Sequence, residues 1–464
     1  MAITLRLLTM ALAGCALAGT ALAQPESLLD VYQRALQNDP AIREAEANYL
    51  ATAEVKPQAR SSLLPDLNLS AGLSHQFSES PGGAVVGGVG AQSQAIKTEF
   101  DSDRDNWSVG LTQTIFNWAQ FATLKQADKR VTRAETDFAV AKQDLVIRVS
   151  TRYFNVLAAE DNLASAVAAR EAIARQLEQA QRRFEVGLIA ITDVQQSQAA
   201  FDDAVATEID AQRLLATAQE FLREIVGEIV ADLASPIDDL PLLTPDPANA
   251  EQWVQSALES NLALMSSRIA ADIAQDDIDI QRAGRYPTLS LSAAYNDSTT
   301  DQIVTNFPFA GDPIVNPSRQ APEGYNWSFD LRFPIYTGGF NRSKIQQSVY
   351  QHRSATEALQ RVARQTERET RDAYLGVISE ISRVRALRQA VESAGTALRA
   401  TEAGFEVGTQ TTVDVLAAQN NLRRVETTYS RSRYDYLLDL LALKQAAGSL
   451  EITDIEQIDG WLQR

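Results

Sequence analysis

Phe184-Glu185-Val186-Gly187 recurs unchanged as Phe405-Glu406-Val407-Gly408, 221 residues further along the chain. Other landmarks keep nearly the same offset. Leu64-Pro65-Asp66-Leu67-Asn68-Leu69-Ser70-Ala71 aligns with Tyr286-Pro287-Thr288-Leu289-Ser290-Leu291-Ser292-Ala293, Trp107-Ser108 with Trp327-Ser328, and Tyr153 with Tyr374. Four landmarks in register over more than 200 residues read as two copies of one unit. The period is too long for a solenoid, so a duplicated half is expected rather than an array.

Each unit reads as helix, strand, loop, strand, very long helix, turn, helix. The first helix is expected over Glu26 to Arg60 and its counterpart over Ala250 to Arg285, each stopping before a strand marked by Pro65 or Pro287. From Trp118 to Val186 there is neither glycine nor proline, roughly 70 residues, or about 100 Å of helix at the usual rise. Leu124, Val131, Phe138 and Leu145 recur every seventh residue, and the series resumes at Val149, Val156 and Leu163 after a four-residue step. That is a coiled-coil seam with a stutter. The matching helix runs from about Asn341 to Val407. Two shorter helices, Glu26–Arg60 and Thr192–Val226, stack end to end to match the long one. The Phe-Glu-Val-Gly blocks then fall at the far tips, with Gly187 and Gly408 as helix C-caps and Thr192 or Asp193, and Thr412 or Asp414, as restart caps.

The strands alternate with period two. Leu67, Leu69, Ala71 and Leu73 alternate with Asn68, Ser70, Gly72 and Ser74, and Trp107, Val109 and Leu111 with Asn106, Ser108, Gly110 and Thr112. Leu289, Leu291, Ala293 and Tyr295 form a third set, and Trp327, Phe329, Leu331, Phe333 and Ile335 a fourth. A half-buried antiparallel sheet produces this pattern, and so does a membrane β-barrel strand. Long connections rich in Gly, Pro and Ser, about Ser78–Arg104 and Asn296–Asn326, favour the barrel. Four strands cannot close, because an open edge in lipid leaves backbone groups unsatisfied. Several chains would share the sheet, and eight, twelve or sixteen strands all remain open from the strands alone.

Residues 1–23 read as an export signal: Arg6, an apolar run from Leu7 to about Leu17, and Ala21-Leu22-Ala23 before Gln24. Leu12-Ala13-Gly14-Cys15 also fits the lipoprotein pattern, which would leave Cys15 lipidated, but the apolar run continues to a conventional site. Cleavage after Ala23 removes the single cysteine and takes the net charge from −18 to about −19. Such acidity argues against nucleic acid as a partner. Residues 24–234 form the first repeat, 235–247 a linker with four prolines in 13 residues, and 248–464 the second repeat.

The residues around the tips and strands resemble the TolC family of outer-membrane efflux and type I secretion channels. The resemblance is carried by Val186-Gly187-Leu188-Ile189-Ala190-Ile191-Thr192-Asp193-Val194 and Val407-Gly408-Thr409-Gln410-Thr411-Thr412-Val413-Asp414-Val415-Leu416. Phe333-Pro334-Ile335-Tyr336-Thr337-Gly338-Gly339, Leu63-Leu64-Pro65-Asp66-Leu67 and Ala442–Leu450 extend it over essentially the whole mature chain. The match is closer to the type I secretion branch than to the lipidated efflux branch.

The resemblance implies a mainly α-helical chain with a four-stranded β-hairpin pair. As a homotrimer it would build a 12-stranded barrel in outer-membrane lipid and a coiled-coil α-barrel in the periplasm. It also implies a passive exit duct that docks to a periplasmic adaptor protein and an inner-membrane ABC or RND transporter. By the same resemblance, Gly187, Leu188, Thr192, Gly408 and Thr409 are adaptor-contact tips, and Asp193, Asp414, Phe405 and Gln410 line the periplasmic aperture. Three copies of Asp414 would form an acidic ring, while the local sequence reads the same residue as a helix cap. Two departures stand out. Ala417 occupies the place of a second tip carboxylate, and Phe405 and Gln410 replace a tyrosine and an arginine that hold the entrance shut. A weaker ring and a closure less dependent on salt bridges are expected.

The remaining candidates point to no chemistry. His75 and His352 are far apart in sequence, and Gly82–Gly90 lacks the strand–turn–helix setting of a phosphate loop. Asp238 and Asp239 fall in the linker. No catalytic site, cofactor or metal is expected. An extracytoplasmic coiled-coil spacer is the alternative, and it leaves the four alternating strands unexplained.

Overall fold

The computed structural model describes residues 25–84, 94–230, 232–237, 239–307 and 312–463. The export segment, Cys15, Asp238 and part of the 82–90 glycine run lie outside the described residues. Helices α1 (Leu28–Asn38), α2 (Pro40–Ala53) and α3 (Val55–Ser61) lead into strands β1 (Asp66–Ala84) and β2 (Gln94–Phe116). Helices α4 (Trp118–Glu185) and α5 (Ile191–Val226) complete the first half. The second half repeats the series as α6 (Ala250–Ser260), α7 (Leu262–Ala283), β3 (Thr288–Phe307), β4 (Ile314–Gln320), β5 (Glu323–Arg332), α8 (Phe340–Glu406) and α9 (Thr412–Ala447), with α10 (Ile452–Asp459) added at the end.

Two compact units result, each drawing on both halves: residues 25–49, 135–268 and 358–463 form one, and 50–134 and 269–357 the other. The second unit holds the sheet, in the antiparallel order β1-β2-β3, with β4 and β5 both on the far side of β3. β5 pairs along Thr288–Asp297 and β4 along Thr300–Asn306, so they fill one strand position interrupted at Ala321–Pro322. Pro322 has no N–H to give the ladder, though its carbonyl accepts the Ser298 N–H at 3.1 Å.

Register gathers the alternating residues of all strands onto one face. Leu67 faces Leu111, Leu111 faces Ala293, and Ala293 faces Trp327. In the next such row Leu69, Val109, Tyr295 and Tyr325 stand side by side. The edge-strand members of these rows are uncovered within the chain, Leu69 being 72% and Tyr325 81% exposed, while Val109, Leu111 and Ala293 between them are half-buried. The opposite face carries polar rows, where the Ser70 and Ser108 hydroxyls bond at 2.7 Å. The strands are longer than composition suggests, because backbone pairing continues from Asp66↔Thr112 to Ala84↔Gln94 through Ser, Glu, Asp and Lys residues. The segments expected as long connections are therefore largely strand. Ladder bonds do not depend on side-chain polarity, so the extension is invisible to a hydrophobic period.

The other unit has a conventional core. Leu28 and Val31 of α1, Leu145, Val149, Tyr153 and Phe154 of α4, Val226 of α5, Val377 of α8, Tyr436, Leu437 and Leu441 of α9, and Ile458 of α10 are buried together. The heptad residues Leu145, Val149 and Val156 are within it, and Phe138 packs against it. The buried Tyr153 hydroxyl is shared between the carbonyls of Ala234, at 2.6 Å, and Glu26, at 3.0 Å. The proline-rich stretch is pinned to this unit. Arg433 donates to Ile237 O at 2.7 Å, the Tyr436 hydroxyl accepts Leu243 N–H at 2.9 Å, and Asp239 pairs with Arg388 at 2.9 Å.

The first expected helix is three helices. Asp39 is extended, and Pro40 cannot extend the α1 ladder but suits the first position of α2. Asp39 is buried, accepts Ala41 N–H at 3.1 Å and pairs with Arg148. In the second half Asn261 makes the corresponding break without a proline, its Oδ1 accepting Leu264 N–H at 2.9 Å.

Each break is tied to the end of the shorter tip-to-core helix. Asn38 donates to Val226 O at 2.8 Å and Asn261 to Ala446 O at 3.0 Å. Each of those helices ends on a left-handed glycine, Gly227 at φ 89° and Gly448 at φ 74°. A Cβ on Gly227 would only touch Asn38 at 3.6 Å, whereas on Gly448 it would collide with the Ser260 carbonyl and Asn261 N. Gly227→Ala should therefore cost about 1–2 kcal/mol, the ordinary left-handed penalty, and Gly448→Ala clearly more. Thermal unfolding of both variants checks the ranking.

Asp439 on α9 supplies a pH-dependent element. Burial, then the nearby charges of Glu380 on α8 and Asp435 on α9, raise its carboxyl to about 6. Arg383 pairs with Glu380 at 3.1 Å and Arg431 with Asp435 at 2.9 Å, and Gly376 lets Asp439 approach α8. The folded chain holds this proton more tightly than the unfolded chain does. The resulting penalty is complete above about pH 6 and fades as the pH falls toward the ordinary carboxyl range. Thermal stability should rise on going from about pH 7.5 to 5.5, and Asp439→Asn should be more stable at pH 7.5 and lose that part of the pH response.

Candidate functional site at the two helical turns

The long helices α4 and α8 stop in the same way. Gly187 takes φ 74° and Gly408 φ 79°, a conformation that favours glycine. Leu188 N–H donates to Arg183 O at 2.9 Å and Gly187 N–H to Phe184 O at 2.9 Å. In the second turn Thr409 N–H donates to Gly404 O at 2.8 Å and Gly408 N–H to Phe405 O at 3.2 Å. Both are Schellman caps, which satisfy the last carbonyls of a helix. No atom lies within 4 Å of where a Cβ on either glycine would sit.

The restart differs from expectation by one to three residues. The N-caps are Ala190 and Thr411, so Thr192 and Thr412 lie inside their helices. Asp193 and Asp414 occupy the third helical position, from which a carboxylate can reach back to the cap. In the second turn the capping box is complete. Asp414 accepts Thr411 N–H at 2.8 Å and its hydroxyl at 2.7 Å, and Thr411 Oγ1 accepts Asp414 N–H at 3.3 Å. In the first turn Ala190 has no side-chain acceptor, and only its N–H reaches Asp193, at 3.3 Å. The Thr411 hydroxyl and then its N–H hold the Asp414 carboxyl below the usual range, so it stays ionised down to acidic pH. Both the cap and the exposed anion are properties of one side chain.

Around these caps the turns are apolar and exposed. Val186, Leu188 and Val407 are each at least 70% exposed, and Ile191 and Val413 about half. Gln410 is exposed and lies over Gly404, and Ala417 is exposed with no charge to offer. Phe405 is half-buried, with the Arg183 guanidinium 4.8 Å from its ring centroid. Sequence reading missed Arg183. The signal available was the residue before the repeated block, Arg183 in one half and Gly404 in the other. His75 lies on β1 beside Asp103 and His352 on α8. Among the described residues no group of three or more His, Cys, Asp or Glu is placed to hold a metal.

Long helices ending in exposed, glycine-capped turns, together with a sheet whose uncovered face is apolar, define a subunit of an outer-membrane duct. The family model for outer membrane efflux proteins matches the chain twice, at residues 31–228 and 253–449. The chain belongs to the outer membrane efflux protein family. It is 34% identical to outer membrane protein TolC of Vibrio cholerae over 94% of each chain. It is 27% identical to the alkaline protease secretion protein AprF of Pseudomonas aeruginosa, over 93% of this chain and 86% of that one. Among solved structures, the Campylobacter jejuni CmeC outer membrane channel shares the fold, with TM-score 0.72 at 15% identity, covering 94% of this chain and 90% of that one.

Proposed function

We propose that this protein is one subunit of a passive exit duct in the outer membrane, serving secretion and efflux. The observation that carries the reading is the sheet. Apolar side chains of its edge strands, among them Leu67, Leu69, Trp327, Phe329 and Leu331, are largely exposed on one face. In this reading the sheet meets the lipid, and among the described residues its four strand positions leave two unpaired edges. Three copies closing on one another would give twelve strands and remove both edges. The same three copies would bring three Asp414 carboxylates to one aperture, where ionised oxygens attract divalent cations.

The exposed apolar residues Val186, Leu188 and Val407 suit contact with a periplasmic adaptor, which would link the duct to an energised inner-membrane transporter. Likeness to a protease secretion protein supports a type I route driven by an ABC transporter. Residues 1–23 act in this reading as a removable export signal, and the two repeats each supply one hairpin and one helical layer. The chain conducts; no catalytic step is assigned to it.

Membrane extraction tests the architecture. The protein should require detergent and run as a trimer on an unheated gel that collapses to monomer on heating; release in the soluble osmotic-shock fraction would overturn the reading. Planar-bilayer recording tests the ring. Millimolar divalent cations should block the wild-type channel, Asp414→Ala should relieve that block, and an unchanged block would remove Asp414 from the aperture.

A further inference from the structure

The apolar face of the sheet continues to the point where β2 gives way to α4. An extra residue at Ile115 shifts the register there, so that Thr114 lies opposite Ser290 and Phe116 opposite Leu289, which in turn lies opposite Leu331. Phe116 thereby joins an apolar row and stays partly exposed. Two residues later α4 opens with Trp118, which meets Tyr286 edge-on with 6.4 Å between ring centroids. Trp118, Phe121 and Tyr286 are each nearly half exposed. Exposed aromatic rings at the end of a lipid-facing sheet sit at the level of the headgroups.

Beside these rings α4 and α7 enclose a pocket of about 150 Å³, lined by Trp118, Phe121, Ala122 and Lys125 of α4 and by Asp276 and Asp279 of α7. The two helices are braced just beyond it. The buried Gln126 donates to Ile273 O at 2.9 Å and to Asp277 at 2.7 Å, and Lys129 pairs with Asp276 at 2.6 Å. The charges around the pocket are unequally satisfied. Asp276 is held by Lys129, and Asp279 meets Arg282 at 3.0 Å with about half of its side chain still exposed. Lys125 is exposed and makes no ion pair among the described residues. An unpaired cation, an accessible carboxylate and two aromatic rings thus share one small cavity.

We propose that this pocket holds the headgroup of an amine-bearing phospholipid. The phosphate would meet Lys125 and the ammonium Asp279, while the acyl chains pass Phe121 and Trp118 onto the apolar face at Phe116. The proposal rests on reading the sheet as membrane-spanning. The pocket has the volume of about five water molecules in the liquid, room for a headgroup. Lys125 attracts the phosphate of any phospholipid. Asp279 discriminates: a primary ammonium brings it a positive charge with three N–H donors. A glycerol headgroup has no such charge, and a trimethylated amine is bulkier and has no donor.

Native mass spectrometry of the detergent-solubilised trimer, titrated with phosphatidylethanolamine, phosphatidylglycerol or phosphatidylcholine, tests the site. Wild type should hold one phosphatidylethanolamine per protomer and bind the other two lipids about fivefold more weakly, the factor expected of one charge contact near a membrane surface. Lys125→Gln should weaken all three lipids by about the same factor. Asp279→Asn should abolish the preference for phosphatidylethanolamine, because it removes the ammonium's partner and frees Arg282 for any phosphate. Quenching of tryptophan fluorescence by phosphatidylethanolamine with brominated chains should diminish in Trp118→Phe. Equal affinity of wild type for the three lipids, or binding indifferent to Lys125→Gln, would overturn the site. An unheated gel confirms that each variant assembles, and the wild-type preference decides the matter where one does not. A trimer that needs detergent yet shows no lipid preference overturns this site alone; release in the soluble osmotic-shock fraction overturns the membrane reading and the site together.

Discussion

Among the described residues β1 and the β4–β5 position each pair on one side only, and in hydrocarbon every unpaired N–H or C=O costs several kcal/mol. This backbone constraint governs the rest of the molecule. Within one chain the four strand positions leave both edge strands paired on one side only, and the apolar face of the edge strands is largely exposed. In the proposed duct, lipid would meet its face and other copies its edges. The helical unit, in contrast, buries Tyr153, Leu441 and Ile458 within a single chain. The helical unit thus has a core of its own, while the sheet leaves its edge strands paired on one side.

Duplication supplies the same parts twice, and the differences between copies show where function has divided them. The glycine caps agree in geometry at Gly187 and Gly408, and again at Gly227 and Gly448. The asparagine ties from Asn38 and Asn261 agree as well. These positions end helices, a task that does not depend on which half performs it. The restart caps and the residues before the repeated blocks do differ: Ala190 against Thr411, and Arg183 against Gly404. All four lie at the turns. A fully capped carboxylate at Asp414 and a half-capped one at Asp193 present different anions to whatever approaches them.

Much of the fold was legible because it rests on local periodicity. The heptad residues Leu145, Val149 and Val156 and the alternating Leu67, Leu69, Trp327 and Phe329 carry their element type in their spacing. Pro65 and Pro287 marked helix ends through their missing N–H. Less visible were events decided by partners distant in sequence. Asn261 breaks a helix with no proline, held by Leu264 N–H and by Ala446 O, 185 residues away. The strands run beyond their apolar stretches because the neighbouring backbone continues to pair. Asp39, an ordinary surface residue by type, is buried because Arg148 meets it.

By itself the sequence determined that there are two equivalent halves, that each has a hairpin and a long helix, and that each long helix ends at a Val-Gly turn. Those features depend on residue spacing and on the conformational freedom of glycine, both local properties. Only the tertiary structure decided that Arg183 of one half would lie on Phe405 of the other, and that the apolar residues of all the strands would share one face. Cross-chain register and side-chain reach settle such contacts, and neither is written in any window of sequence short enough to read as a pattern.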